Sequence, residues 1–68
     1  MKIKVKISRT KDEKEIQIEK GSTVLDLLKI LKFKPDNVVV MSDKTPIPID
    51  DTLKDKQEIT IIQVFSGG

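Results

Sequence analysis

The stretch "GSTVLDLLKILKF" (Gly21–Phe33) changes the rhythm of the chain and decides its fold. On either side of it apolar residues recur at every second position, the period of a strand with one buried face. Inside it they recur at spacings of three and four, the period of a helix. Val24, Leu27, Leu28 and Leu31 form one stripe, widened by Leu25 and Phe33, while Asp26, Lys29 and Lys32 fall on the opposite side. This is the pattern of one helix laid on a sheet. Gly21 breaks the preceding strand, and Ser22 or Thr23 can cap the helix by accepting an orphan amide proton. Asp26, three residues after Thr23, makes a weak capping box and suits the positive helix end. Pro35 is expected to stop the helix, because the residue before a proline avoids helical angles.

Upstream, "KIKVKI" (Lys2–Ile7) alternates strictly, with Ile3, Val5 and Ile7 on one face and three lysines on the other. After the polar connector "SRTKDEK", "EIQIE" (Glu15–Glu19) alternates again with Ile16 and Ile18 inward, which predicts an antiparallel hairpin. The lysines opposite Glu15 and Glu19 would support the pairing by cross-strand attraction. Downstream, "NVVVM" (Asn37–Met41) is apolar on both sides and is expected to be well covered. "PIPI" (Pro46–Ile49) can be only a short edge strand, since two prolines cannot donate to a ladder. "DDTLKDK" predicts an irregular turn with Leu53 tucked inward, and "EITIIQVF" (Glu58–Phe65) is the longest strand.

The order is strand, strand, helix, strand, short strand, strand. Its simplest packing is a mixed four- to five-stranded sheet with one helix on one face and the first and last strands parallel at the centre. The fold class is α+β, in the β-grasp or ubiquitin-like layout. The reading divides the chain into a folded domain over 1–66 and a flexible diglycine tail at 67–68.

With 68 residues the chain is one small domain, with no room for a deep pocket beside a core. It contains no Cys and no His, which removes disulfides, thiolate nucleophiles, imidazole bases and Cys/His zinc sites. No loop has the calcium-binding pattern, and no metal or bound cofactor is expected. Asp50-Asp51 is an adjacent carboxylate pair, and such a pair more often caps a turn than shares a proton. Basic and acidic residues nearly balance, 13 against 11, so the chain has no dense basic stripe. Phe33 and Phe65 are its only aromatics, too few for a base-stacking platform. Lysines interrupt the start, and no run approaches the roughly 18 apolar residues of a membrane span. The expectation is a soluble cytoplasmic protein, monomeric alone, with no nucleic-acid or membrane partner.

Function has to be sought at the end of the last strand. If Ile59 and Ile61 face the helix, then Thr60, Ile62 and Val64 face away, on a side with no second helix to cover it. With Lys4 and Lys6 beside them they would form a small greasy patch with a basic rim, a docking face for a larger partner with acidic residues. The bland alternative is scattered surface apolarity. Phe65 either closes the base of the core, against Ile3, or anchors the partner. Ser66, Gly67 and Gly68 then form a leash thin enough to thread a channel closed to side chains. The α-carboxylate of Gly68 is the one reactive group set out where an enzyme could use it. The protein would be a substrate, not an enzyme.

"GSTVLDLL" entering the helix, "EITIIQV" and the terminal "FSGG" resemble the ThiS/MoaD family of sulfur carriers, and equally the archaeal small modifier proteins and ubiquitin. The resemblance spans essentially the whole chain. It implies that an E1-like enzyme uses ATP to adenylate Gly68, and that a sulfur donor then converts the carboxylate to a thiocarboxylate. A downstream sulfur-accepting enzyme of thiamin, molybdopterin or thiolated tRNA synthesis would receive the sulfur. Two family patterns are replaced here, the Asn-Gly turn after the third strand by "MSDK" and the Gly-Asp before the last strand by Lys56-Gln57. One alternative is a protein modifier joined to target lysines through the same terminus. A second is a non-catalytic ubiquitin-like binding module in which the tail is incidental.

Overall fold

The computed structural model describes residues 1–64. The elements are β1 (Lys2–Ile7), β2 (Asp12–Gln17), α1 (Val24–Leu31), a 3-10 turn (Pro35–Asn37), β3 (Val38–Ser42), β4 (Thr45–Pro46) and β5 (Glu58–Gln63). They form one five-stranded sheet in the order β2-β1-β5-β3-β4. β1 and β5 run parallel at its centre, Val5 opposite Ile59 and Ile7 opposite Ile61, and every other pairing is antiparallel. This is the β-grasp arrangement expected from the sequence.

The core is the inner face of this sheet closed by α1. Ile3, Val5 and Ile7 of β1 meet Ile59 and Ile61 of β5, Val38 and Val40 of β3, and Val24, Leu27 and Leu28 of the helix. Leu53 enters from the long connection to β5, and Ile18 seals the edge. Leu31 and Phe33 pack against this cluster half-buried, as the widened stripe implies.

Thr23 is the helix cap. Its hydroxyl accepts the Asp26 N–H at 3.4 Å, and the Asp26 carboxylate accepts the Thr23 N–H at 3.0 Å, so the capping box closes both ways. The next orphan amides are satisfied from far along the chain. Val24 N–H donates to the Asp51 carbonyl at 3.0 Å and Leu25 N–H to the Ile49 carbonyl at 2.8 Å. Leu53 N–H returns to the Ser22 carbonyl at 2.8 Å. Asp50-Asp51 therefore lies in a turn that serves the helix start through its backbone.

Several boundaries differ from the sequence expectation, each for a physical reason. β2 begins at Asp12, not Glu15, because an edge ladder needs backbone pairing and not apolar side chains. Its turn spans only Ser8–Lys11, with Lys11 at φ 59°. The helix ends at Leu31, well before Pro35. Lys32 turns left-handed at φ 63°, and Lys32 and Phe33 donate back to the Lys29 and Leu28 carbonyls at 3.2 and 2.9 Å. Pro35 opens the 3-10 turn instead. β4 is shorter than "PIPI", since Ile47 N–H still reaches the Val40 carbonyl but Pro48 has no N–H to offer. β3 is covered on one face only, leaving Val39 38% exposed. Phe65, the expected end of β5, lies outside the described residues, as does the 66/67 boundary.

The two replaced glycine motifs have a common explanation. Asp43 and Lys44 join β3 to β4 with φ of 53° and 65°, the double left-handed turn that Asn-Gly or Asp-Gly favours. Lys56 turns left-handed at φ 63° just before β5. The Gln57 side chain then latches the neighbouring turns: its Oε1 accepts the Lys54 N–H and its Nε2 donates to the Ser42 hydroxyl, both at 2.8 Å.

Two tests follow from this architecture. A lysine in the left-handed region is strained by about 1–2 kcal/mol, against ~0.5–1 kcal/mol of extra chain entropy for glycine. Lys44→Gly should therefore stabilise by about 0.5–1 kcal/mol and raise Tm by a few degrees. Hydrogen bonds from backbone amides, Thr23 to Asp26 and Lys2 to Asp55, are the main cause holding both carboxyls below the ordinary aspartate value. Their stabilisation is complete above the unfolded pKa of about 3.9 and is lost as pH falls through the lower folded values. A Tm-versus-pH curve should drop mainly below about pH 4, and Asp26→Ala or Asp55→Ala should lie closer to wild type at pH 2 than at pH 7.

Candidate functional site

Because cross-strand partners share a face, the register maps the sheet surface that α1 leaves open. One row runs Glu13, Lys6, Thr60, Met41 and Pro46; the row before it runs Glu15, Lys4 and Glu58. The row after them pairs Ile62 with Val39, and Val64 follows at the end of β5, 59% exposed. Thr60, Ile62 and Val64 thus lie together on the open face, with Val39 and Met41 beside them. Sequence reasoning missed Val39 and Met41 by treating β3 as covered on both sides. The argument applied to β5, that one helix covers one face, applies equally to its neighbour.

The basic rim differs from expectation. Lys4 stands between Glu15 and Glu58, and Lys6 faces Glu13. Lys2 Nζ lies 3.6 Å from Glu15 Oε1 with both side chains mostly exposed, a pairing worth little on its own. The β1 lysines are interleaved with carboxylates and do not form a bare positive edge.

At the other end of the patch the chain leaves the sheet. Val64 N–H donates to the Asn37 carbonyl at 3.0 Å, fixing the last described residue beside β3. Ser8 N–H donates to the Ile61 carbonyl at 2.9 Å, which draws the β1–β2 turn to the other side of β5. Ser8 and Arg9 consequently line a shallow groove with Ile62, Gln63 and Val64. Arg9 too was missed by sequence reasoning. The signal lay in the parallel pairing, since residues just past the end of β1 must neighbour those just past the end of β5. Phe65, Ser66, Gly67 and Gly68 lie outside the described residues.

Among the described residues no three acidic groups gather as a metal site, and no helix is long and apolar enough to cross a membrane.

Comparison with known proteins agrees with this geometry. The family model for small archaeal modifier protein 2 matches residues 1–65. An uncharacterized protein of Archaeoglobus fulgidus is 36% identical over 69 residues, covering 100% of both chains. Among solved structures, SAMP1 from Haloferax volcanii superposes with a TM-score of 0.77 at 15% identity, covering 100% of each chain. A putative molybdopterin converting factor, subunit 1, from Pyrococcus furiosus gives 0.77 at 24% identity over 94% of this chain and 98% of its own. The ubiquitin of Caldiarchaeum subterraneum gives 0.75 at 19% identity over 100% and 98%. These structural likenesses establish the fold.

An open face predicts a contrast in stability. Val39→Thr and Ile62→Thr should each change unfolding free energy in urea by less than about 1 kcal/mol. Ile61→Ala, one residue away but fully buried, should cost about 2–5 kcal/mol.

Proposed function

The chain belongs to the small archaeal modifier protein 2 family, and on that premise we propose that it is a substrate protein activated at its own terminus. An E1-like enzyme adenylates the α-carboxylate of Gly68: a carboxylate oxygen attacks the α-phosphorus of ATP and pyrophosphate leaves. Sulfide then attacks the acyl carbon, AMP departs, and the terminus becomes a thiocarboxylate. A downstream enzyme of thiamin, molybdopterin or tRNA thiolation takes the sulfur. The cationic and metal clamps for the phosphates come from the adenylating enzyme.

The observation that supports the reading is the place of β5. It carries Thr60 and Ile62 along the open face, with Val64 exposed just past its end and Phe65–Gly68 next in sequence. A partner seated on Val39, Ile62 and Val64 would find the terminus delivered at the edge of its footprint. The glycines, lacking Cβ atoms, suit a narrow channel. Lys4 and Lys6 contribute to the encounter with an acidic partner, moderated by the neighbouring glutamates.

A second reading has its own support in the family's description as modifiers. The same acyl adenylate, attacked by a lysine amine of a target protein, loses AMP and forms an isopeptide bond. Activation is common to both readings, and the nucleophile separates them.

The test is the intact mass of the purified protein after incubation with its host's E1-like enzyme, ATP and sulfide. The expected result is a gain equal to the replacement of one oxygen by sulfur, lost when Gly68 is deleted. An unchanged mass with a competent enzyme would count against the carrier reading, and lysine conjugates in its place would identify a modifier.

A further inference from the structure

Every basic side chain of this protein is a lysine except one: Arg9 stands alone among twelve lysines. Its place is as particular as its identity. The Ser8 amide bond to Ile61 holds the β1–β2 turn against β5, and Arg9 lines the groove that Ile62, Gln63 and Val64 form where the chain leaves the sheet. Arg9 is exposed, and among the described residues no carboxylate lies within ion-pair distance of it. The β1 lysines, by contrast, alternate with Glu13, Glu15 and Glu58. Arg9 therefore places a positive charge beside the apolar patch, next to Val64, the last described residue.

Resting on the carrier-or-modifier reading above, we propose that Arg9 determines partner choice by pairing with a carboxylate at the mouth of the adenylating enzyme's channel. A guanidinium presents a planar fork that fits a carboxylate with two parallel hydrogen bonds, which an ammonium cannot reproduce. Reach distinguishes this from a role at the reacting phosphate. From Val64 to Gly68 an extended chain covers about 13–14 Å, farther than an arginine side chain extends. With the tail threaded, Arg9 stays at the entrance while the adenylate forms deep inside. It acts on docking and leaves the acyl-transfer step untouched.

The test is ATP–pyrophosphate exchange by the host's E1-like enzyme with wild type, Arg9→Lys, Arg9→Ala and Arg9→Glu, alongside their melting temperatures. Arg9→Ala should raise the KM for this protein about tenfold and Arg9→Glu further, with kcat and Tm unchanged. Arg9→Lys should restore little of the loss, because the fork and not the charge alone is used. An unchanged KM in Arg9→Ala and Arg9→Glu overturns the proposal while leaving the function standing. So does a fall in kcat at constant KM, which would move Arg9 to the chemistry. Full rescue by Arg9→Lys overturns the two-bond pairing. A wild-type protein that supports no exchange defeats the functional reading and this one together.

Discussion

One eight-residue helix can cover one face of a five-stranded sheet, and nearly everything else in this molecule follows from that limit. The inner face takes the whole core, with Ile3, Val5, Val24, Leu27, Leu28, Ile59 and Ile61 almost completely shielded from water. The outer face is left to the solvent. On β1 it carries lysines, as a solvated face should, but on β3 and β5 it carries Val39, Met41 and Ile62. The same shortage of covering structure that makes the core minimal leaves an apolar strip along the strand leading to the tail.

The helix also holds the long connection in place. The capping box satisfies Asp26 and Thr23, but Val24 and Leu25 depend on carbonyls of Asp51 and Ile49. Two backbone donors that would otherwise be orphans at a helix start are thus used to pin a loop with little regular structure. Leu53 follows into the core, and the Gln57 side chain joins that loop to the β3–β4 turn through Ser42. The route from β4 to β5 is fixed by these few polar contacts, which bring β5 into register beside β1.

How much of this was legible in the sequence varied with the kind of signal. Period gave the element order, the core faces of β1 and β5 and the central pairing, because burial on one face is written directly into alternation. Boundaries set by backbone geometry were less visible. Lys11, Lys32, Asp43, Lys44 and Lys56 all turn left-handed without a glycine to announce it. Asp12 to Lys14 pair in a ladder that needs none of their side chains. Val39, Met41 and Arg9 escaped for another reason: their neighbours are set by register between distant strands, which becomes explicit only when the sheet is assembled. The diglycine terminus was read from composition and position, and it lies outside the described residues.

The parallel pairing of β1 with β5 also governs how the molecule bears force. A pull between Met1 and Val64 drags the two central strands past each other along their length. The ladder from Lys4–Glu58 to Ile7–Ile61 is then loaded in shear, all of its bonds together. A hairpin pulled open from its end would instead surrender its bonds one at a time. Tension applied to the tail therefore meets the strongest direction of the sheet. A pull on the last described residue is therefore borne by the whole central ladder at once, and the domain can be loaded there without its strands peeling apart one bond at a time.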